Sequence, residues 1–242
     1  MRIFAGPNGS GKSSLKSVLR PELLGYYINP DEIERDLLTK EHVDLGACHV
    51  AAAEEALKAF FENSTLLKKE GLAGTADHLR LVDGRLSFPG AEINAYIASV
   101  VADFLRQKLL EQKAFFTFET VMSSPDKVKL LERAQSLGYR TYLYYIATDD
   151  PAINVSRVRN RVAVGGHPVP EDKITSRYYR SLDLLIEAIR HSNRAYLFDN
   201  SAHQHARTWL AEITDGRALE MKTDWMPGWF KRAVWDKSNP LT

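Results

Sequence analysis

The stretch Gly6-Pro7-Asn8-Gly9-Ser10-Gly11-Lys12-Ser13, followed by Ser14, fills the phosphate-cradling pattern GxxxxGK[ST]. Its glycines permit a tight turn in which successive N–H groups converge on a polyphosphate. Lys12 supplies a cation for the β- and γ-phosphates, and the Ser13 hydroxyl is the expected Mg²⁺ ligand. Gly6 through Ser14 is therefore the expected nucleotide-binding stretch. Ile3-Phe4-Ala5 reads as a short apolar strand entering the loop. Residues 12–19 read as a helix leaving it, with its N-terminal end toward the same anion.

Beyond the loop, strand-like and helical runs alternate, the mark of a parallel sheet with crossover helices. Strands are expected at 3–5, 26–28, 114–118, 141–147 and 195–198. Helices are expected at 12–19, 47–61, 93–112, 125–137, 152–162 and 170–189. The fold class that follows is α/β: a P-loop NTPase with a kinase-like, doubly wound, mainly parallel sheet of about five strands. All 242 residues are read as one such domain. Residues 62–91, with turn-like Asp83-Gly84 and Pro89-Gly90, look like a rim insertion. The segment 216–242 is an aromatic tail carrying Trp225, Trp229 and Trp235, expected to pack on the domain or to form a protein-binding patch.

Lys+Arg (32) and Asp+Glu (31) nearly cancel, so no global field recruits nucleic acid or anionic lipid, and neither is an expected partner. With Cys48 as the one cysteine, an intramolecular disulfide is excluded. No apolar run approaches the roughly 18 residues of a membrane span. The chain enters its first strand at once, so no signal peptide is expected, and the expected location is the cytoplasm.

Ligands in open α/β sheets bind beyond the carboxyl ends of the strands. There stand Asn29-Pro30-Asp31-Glu32, Glu119-Thr120, Thr148-Asp149-Asp150 and Asp199-Asn200-Ser201. Asp31 can cap the next helix, or it can accept the proton of an attacking hydroxyl. Glu119 is either the point where an apolar strand meets water or a ligand for a substrate hydroxyl. Asp149 and Asp150 read as caps for the helix after Pro151. Asp199 and Asn200 can touch a base edge or cap a turn.

Residues 157–180 carry Arg157, Arg159, Arg161, Lys173, Arg177 and Arg180 against Glu171 and Asp172, a local net charge of +4 in a chain of net +1. Arg157 and Arg161 share one helix face, Arg177 and Arg180 another. Gly165-Gly166-His167-Pro168-Val169-Pro170 joins the two helices as a hinge-like turn, with His167 read as a structural hydrogen-bonder. The pair reads as a helical lid whose arginines neutralise charge on a transferred phosphoryl group. A solvated basic face is the alternative.

Taken together, the loop, Asn29-Pro30-Asp31, Phe118-Glu119-Thr120-Val121-Met122-Ser123 and the Arg157…Gly165-Gly166-His167…Arg177…Arg180 pattern resemble the zeta-toxin-like P-loop kinases, over roughly residues 1–205. The resemblance implies a kinase that uses ATP or GTP with Mg²⁺ to phosphorylate a small acceptor, a UDP-sugar in the family's characterised members. It also implies a small antitoxin protein as partner. It implies that Lys12 and Ser13 hold phosphate and metal, that Asp31 is the base, and that Glu119 lies in the acceptor site with Thr120. Arg161 and Arg177 are the expected catalytic pair and Arg157 and Arg180 are expected beside the acceptor, although the resemblance does not decide which two act. A transport ATPase is disfavoured, because the chain has no LSGGQ-like signature and Thr148-Asp149-Asp150 is a poor Walker B end. A P-loop ATPase or regulatory module without transfer is the alternative function.

Overall fold

Short β-branched and aromatic runs bounded by glycine, proline and acidic residues form ten strands in a computed structural model that describes residues 1–166, 168–202 and 207–238. In chain order they are β1 (Arg2–Ala5), β2 (Tyr26–Ile28), β3 (Val43–Asp44), β4 (Arg80–Val82), β5 (Arg85–Ser87), β6 (Phe116–Thr120), β7 (Tyr142–Ala147), β8 (Arg194–Asp199), β9 (Thr208–Thr214) and β10 (Ala218–Met221). The α-helices are α1 (Pro30–Thr39), α2 (Glu54–Glu62), α3 (Thr65–Lys69), α4 (Ala95–Glu111), α5 (Asp126–Ser136), α6 (Pro151–Ala163), α7 (Glu171–Asp183), α8 (Leu185–Arg190) and α9 (Gly228–Ala233). The chain divides into two compact units, one of Met1–Leu24 with Glu119–Thr242 and one of Gly25–Phe118.

In the first unit the strands run β10-β9-β8-β7-β1. β1 pairs parallel with β7, Arg2 opposite Tyr142, and β7 pairs parallel with β8, Tyr142 opposite Arg194. β9 and β10 add antiparallel strands, with a register irregularity at Leu197/Phe198. The parallel strands read as continuous apolar runs because both faces are covered. Ile3, Phe4, Leu143, Tyr145, Ile146 and Leu197 are all essentially inaccessible to solvent.

In the second unit β2 pairs parallel with β6, Tyr26 opposite Phe116. A small antiparallel sheet, β3-β5-β4, stands beside it in that unit. The predicted insertion at 62–91 holds α3 and the β4–β5 hairpin. The hairpin turns at Asp83 (φ 50°) and Gly84 (φ 76°), positive φ at both central residues as a type I′ turn requires.

The five expected strands correspond to β1, β2, β6, β7 and β8, and the sheet is mainly parallel. β6 begins and ends two residues later than expected. Residues 12–18 form a 3₁₀ helix, with Ser14 N–H donating to Gly11 O at i−3. The helix expected over 47–61 begins only at Glu54. His49 takes a left-handed conformation (φ 53°) that stops the preceding turn, and the acidic pair Glu54-Glu55 starts the helix proper. His167 lies outside the described residues.

Candidate nucleotide-binding site

β1 delivers the glycine-rich loop into the first unit, where three elements surround it. Lys12 Nζ reaches back over the loop and donates to the carbonyls of Gly6 (2.9 Å) and Pro7 (3.0 Å). Its cation thus lies across the concavity in which β- and γ-phosphates are expected. Ser14 Oγ donates to Gly11 O (2.7 Å) and accepts from Arg207 Nη1 (2.8 Å), placing a second cation beside the loop. Ser13 is exposed. Ser10 Oγ and Asn8 Oδ1 are buried without a hydrogen-bond partner. Gly11 cannot be replaced at no cost: at φ 100° it lies in left-handed space, and a Cβ there would come within 2.6 Å of Asn200 Nδ2.

The flanking elements fix the loop from outside. Asp150 caps α6 by accepting from Ala152 N–H (2.7 Å), as expected, and Asn154 sits one turn further in, fully buried. Asn154 Nδ2 donates to Asn8 O (2.6 Å), and its Oδ1 accepts from the Thr148 hydroxyl. From the end of β8, Asn200 Nδ2 donates to Ser10 O (2.8 Å). Arg157, expected beside the acceptor, instead donates from Nη1 to Asn200 O (2.7 Å) and from Nη2 to Ala202 O (3.2 Å). Burial lowers the Arg157 pKa, and the nearby Asp199 charge opposes that shift.

The expected lid is the α6–α7 pair, and its roots are anchored. Tyr178, itself buried, donates to Thr148 O (2.7 Å). Ser181 donates to Val121 O (2.7 Å), which leaves the Tyr145 hydroxyl to donate to Ser181 Oγ (2.9 Å). Burial pushes both phenols above their ordinary pKa, so they act as neutral donors. The Gly165-Gly166 step closes α6 with a Schellman motif: Gly166 N–H donates to Arg161 O (2.9 Å) and Gly165 N–H, at φ 91°, donates to Val162 O (3.0 Å). The first two residues of the expected hinge-like turn thus form a hydrogen-bonded helix cap. Across the gap Arg159 pairs with Glu171 (2.8 Å), both exposed, which adds little to stability. Arg161 and Arg180 are exposed and Arg177 is half-buried.

Glu119 and Thr120 end β6. Glu119 is buried (6% exposed), while Thr120 Oγ1 accepts from Met122 N–H (3.0 Å) and holds Met122 in a left-handed conformation (φ 55°). The Ser181 bond to Val121 ties this run to α7.

In the second unit Asp31 opens α1. The cap is Asn29, whose side chain accepts from Asp31 N–H (2.9 Å). The capping role open to Asp31 is thus filled by its neighbour, and the Asp31 carboxylate is exposed in the first turn.

Asp199 and Asp149, both at strand ends, serve the C-terminal segment. Trp229 is fully buried, donating from Nε1 to Asp199 Oδ2 (2.8 Å) and from its backbone N–H to Asp149 Oδ1 (2.8 Å). Trp225 and Trp235 are exposed. The tail therefore packs through one of its three tryptophans.

No cluster of metal-binding acidic, histidine or cysteine side chains occurs among the described residues. The Ser13 hydroxyl beside the loop still suits Mg²⁺, which keeps several waters and takes its other ligands from substrate phosphates. No described helix is long and apolar enough to cross a membrane.

The Zeta toxin family model matches residues 92–222, more than half of the chain. An uncharacterized protein of Haemophilus influenzae is 30% identical over 69 residues, 28% of this chain and 49% of that protein. Among solved structures, the AvrRxo1-ORF1:AvrRxo1-ORF2 complex with sulphate ions aligns at TM-score 0.53 and 16% identity, over 91% of this chain and 60% of that one. The same complex with ATP aligns at TM-score 0.51 and 15% identity, over 98% and 62%. The chain thus spans about half the length of the curated relative and about three fifths of the AvrRxo1 chain. The structural likeness speaks to the fold.

Proposed function

Because the chain belongs to the Zeta toxin family, we propose that it is a kinase that transfers the γ-phosphoryl group of ATP or GTP to a hydroxyl of a small, nucleotide-sugar-like acceptor, as the toxin of a toxin–antitoxin pair. The observation that carries the reading is the complete loop with Lys12 Nζ lying over it, 2.9 and 3.0 Å from the Gly6 and Pro7 carbonyls. One structural neighbour, the AvrRxo1-ORF1:-ORF2 complex, was solved with ATP, which favours ATP as the donor here.

Each residue then has a chemical role. Residues 6–14 bind the polyphosphate, and Lys12 balances its charge. Ser13 would hold Mg²⁺, which would supply positive charge against the polyphosphate. Asp31, relieved of capping by Asn29, accepts the proton of the attacking hydroxyl. Glu119 and Thr120 orient the acceptor. Arg161 and Arg177 stabilise charge on the transferred group, with Arg180 at the acceptor. Arg157 is reassigned to support Asn200, on the strength of its two carbonyl contacts.

The test is a screen of nucleotide sugars and nucleosides with γ-labelled ATP and GTP. Label in a sugar hydroxyl supports the reading. Nucleotide binding with no transfer to any acceptor would favour a regulatory module instead.

A further inference from the structure

A loop that cradles a polyphosphate must turn its N–H groups inward, so its intervening carbonyls must face away and find partners there. Two of these carbonyls have side-chain amide donors on the outer side. Asn154 Nδ2 stands 2.6 Å from Asn8 O, and Asn200 Nδ2 stands 2.8 Å from Ser10 O. The donors come from different elements, α6 and the end of β8, and grip alternate residues of the loop. Contact is close enough that a Cβ on Gly9 would come within 2.6 Å of Asn154 O, and one on Gly11 within 2.6 Å of Asn200 Nδ2.

Both residues are held in turn, Asn154 through its side-chain amide and Asn200 through its backbone. Asn154 Oδ1 accepts from Thr148. Asn200 N–H donates to Ala147 O (2.8 Å), while Asn200 O accepts from Arg157 (2.7 Å). We infer that Asn154 and Asn200 are positioning residues that clamp the Asn8 and Ser10 carbonyls outward and so preset the loop for polyphosphate, with Arg157 securing Asn200. The inference rests on the nucleotide reading above. Amide chemistry suits this position, because an amide donates without charge, whereas a carboxylate would offer no donor and would repel the anion.

The experiment compares the full chain with Asn200→Ala and Asn200→Asp. Asn200 is half-buried, and Asn200→Asp keeps its volume should Asn200→Ala fold poorly. Affinities for MgATP and for magnesium tripolyphosphate are measured by calorimetry, and backbone hydrogen exchange over residues 8–13 is measured without ligand. Loss of one donor should weaken both ligands about three- to tenfold in Asn200→Ala. The loss should be larger in Asn200→Asp, and larger still at low salt. Exchange should quicken in the loop alone. Tripolyphosphate affinity equal to wild type in both variants would overturn the inference while leaving the nucleotide reading intact. Faster exchange across β8 as well, with ligand-free melting lowered as much as the ligand-induced shift is lost, assigns a general structural role and also overturns it. A wild-type chain that binds neither ATP, GTP nor tripolyphosphate overturns the nucleotide reading, and this inference with it.

Discussion

The indole N–H of Trp229 donates to Asp199 Oδ2 across 2.8 Å, with both side chains buried. Asp199 thereby locks the C-terminal segment onto the end of β8, one residue before Asn200. Trp229→Phe should keep most of the packing but remove that donor. Leaving a buried acceptor short of a partner costs about 1–3 kcal/mol, so melting should fall by several degrees. Thermal unfolding of the two proteins measures it, and an unchanged midpoint would detach the segment from the stability of the first unit.

Lys12→Ala should abolish phosphoryl transfer and leave the fold intact, because Lys12 belongs to the loop and donates to the loop carbonyls of Gly6 and Pro7. On the proposed reading, nucleotide at roughly 100 times Kd should stabilise the wild type by about 2.7 kcal/mol, and that gain should shrink in the variant. Thermal shift with and without MgATP is the measurement. An equal shift in both proteins moves the nucleotide elsewhere.

Asp31→Asn should spare ATP binding and slow transfer by roughly 10²–10⁴-fold, the span of general-base contributions. Stability should hardly change, since the α1 cap is Asn29. Calorimetry with ATP and single-turnover transfer to the acceptor separate the two effects. Normal turnover in Asp31→Asn removes Asp31 from the mechanism.

Arg161→Ala and Arg177→Ala should each lower kcat far more than they weaken ATP binding. Arginines acting only in the transition state are worth about 10³–10⁵-fold. Arg157→Ala should behave differently, weakening nucleotide binding through Asn200. Steady-state kinetics of the three variants would distinguish the roles, and near-wild-type kcat in both Arg161→Ala and Arg177→Ala would reduce α6–α7 to a solvated basic face.

Much of this was legible in the chain. The loop and the parallel strands were readable because a fully buried strand is a continuous apolar run and the glycine pattern has few other uses. β9 and β10 were harder. As antiparallel strands at one end of the sheet, β10 at its edge and β9 carrying the exposed Trp209 and the charged Glu212, they lack a clean apolar run, and the residues that mark their connection, Asp215 (φ 49°) and Gly216 (φ 65°), give the same Asp-Gly signal as Asp83-Gly84. Among site residues, Asn154 was invisible: one asparagine in a helix carries no pattern, and its role emerges only when α6 meets the loop. Asn200 and Asp199 were noticed at a strand end, but their partners, Ser10 and Trp229, are far away in sequence.

The pairing of β1 with β7 sets Arg2 against Tyr142, with the whole second unit between them in the chain. Such a contact closes a very long loop before it gains anything, and non-local parallel pairing is slow to form. During synthesis the strand that carries the phosphate loop must wait for this partner, with Ile3 and Phe4 uncovered, while residues 25–118 emerge and gather locally. The clamp on the loop forms later still, because Asn200 lies beyond β8. On the proposed reading, the loop is preset for polyphosphate only after β8 and Asn200 have emerged and docked.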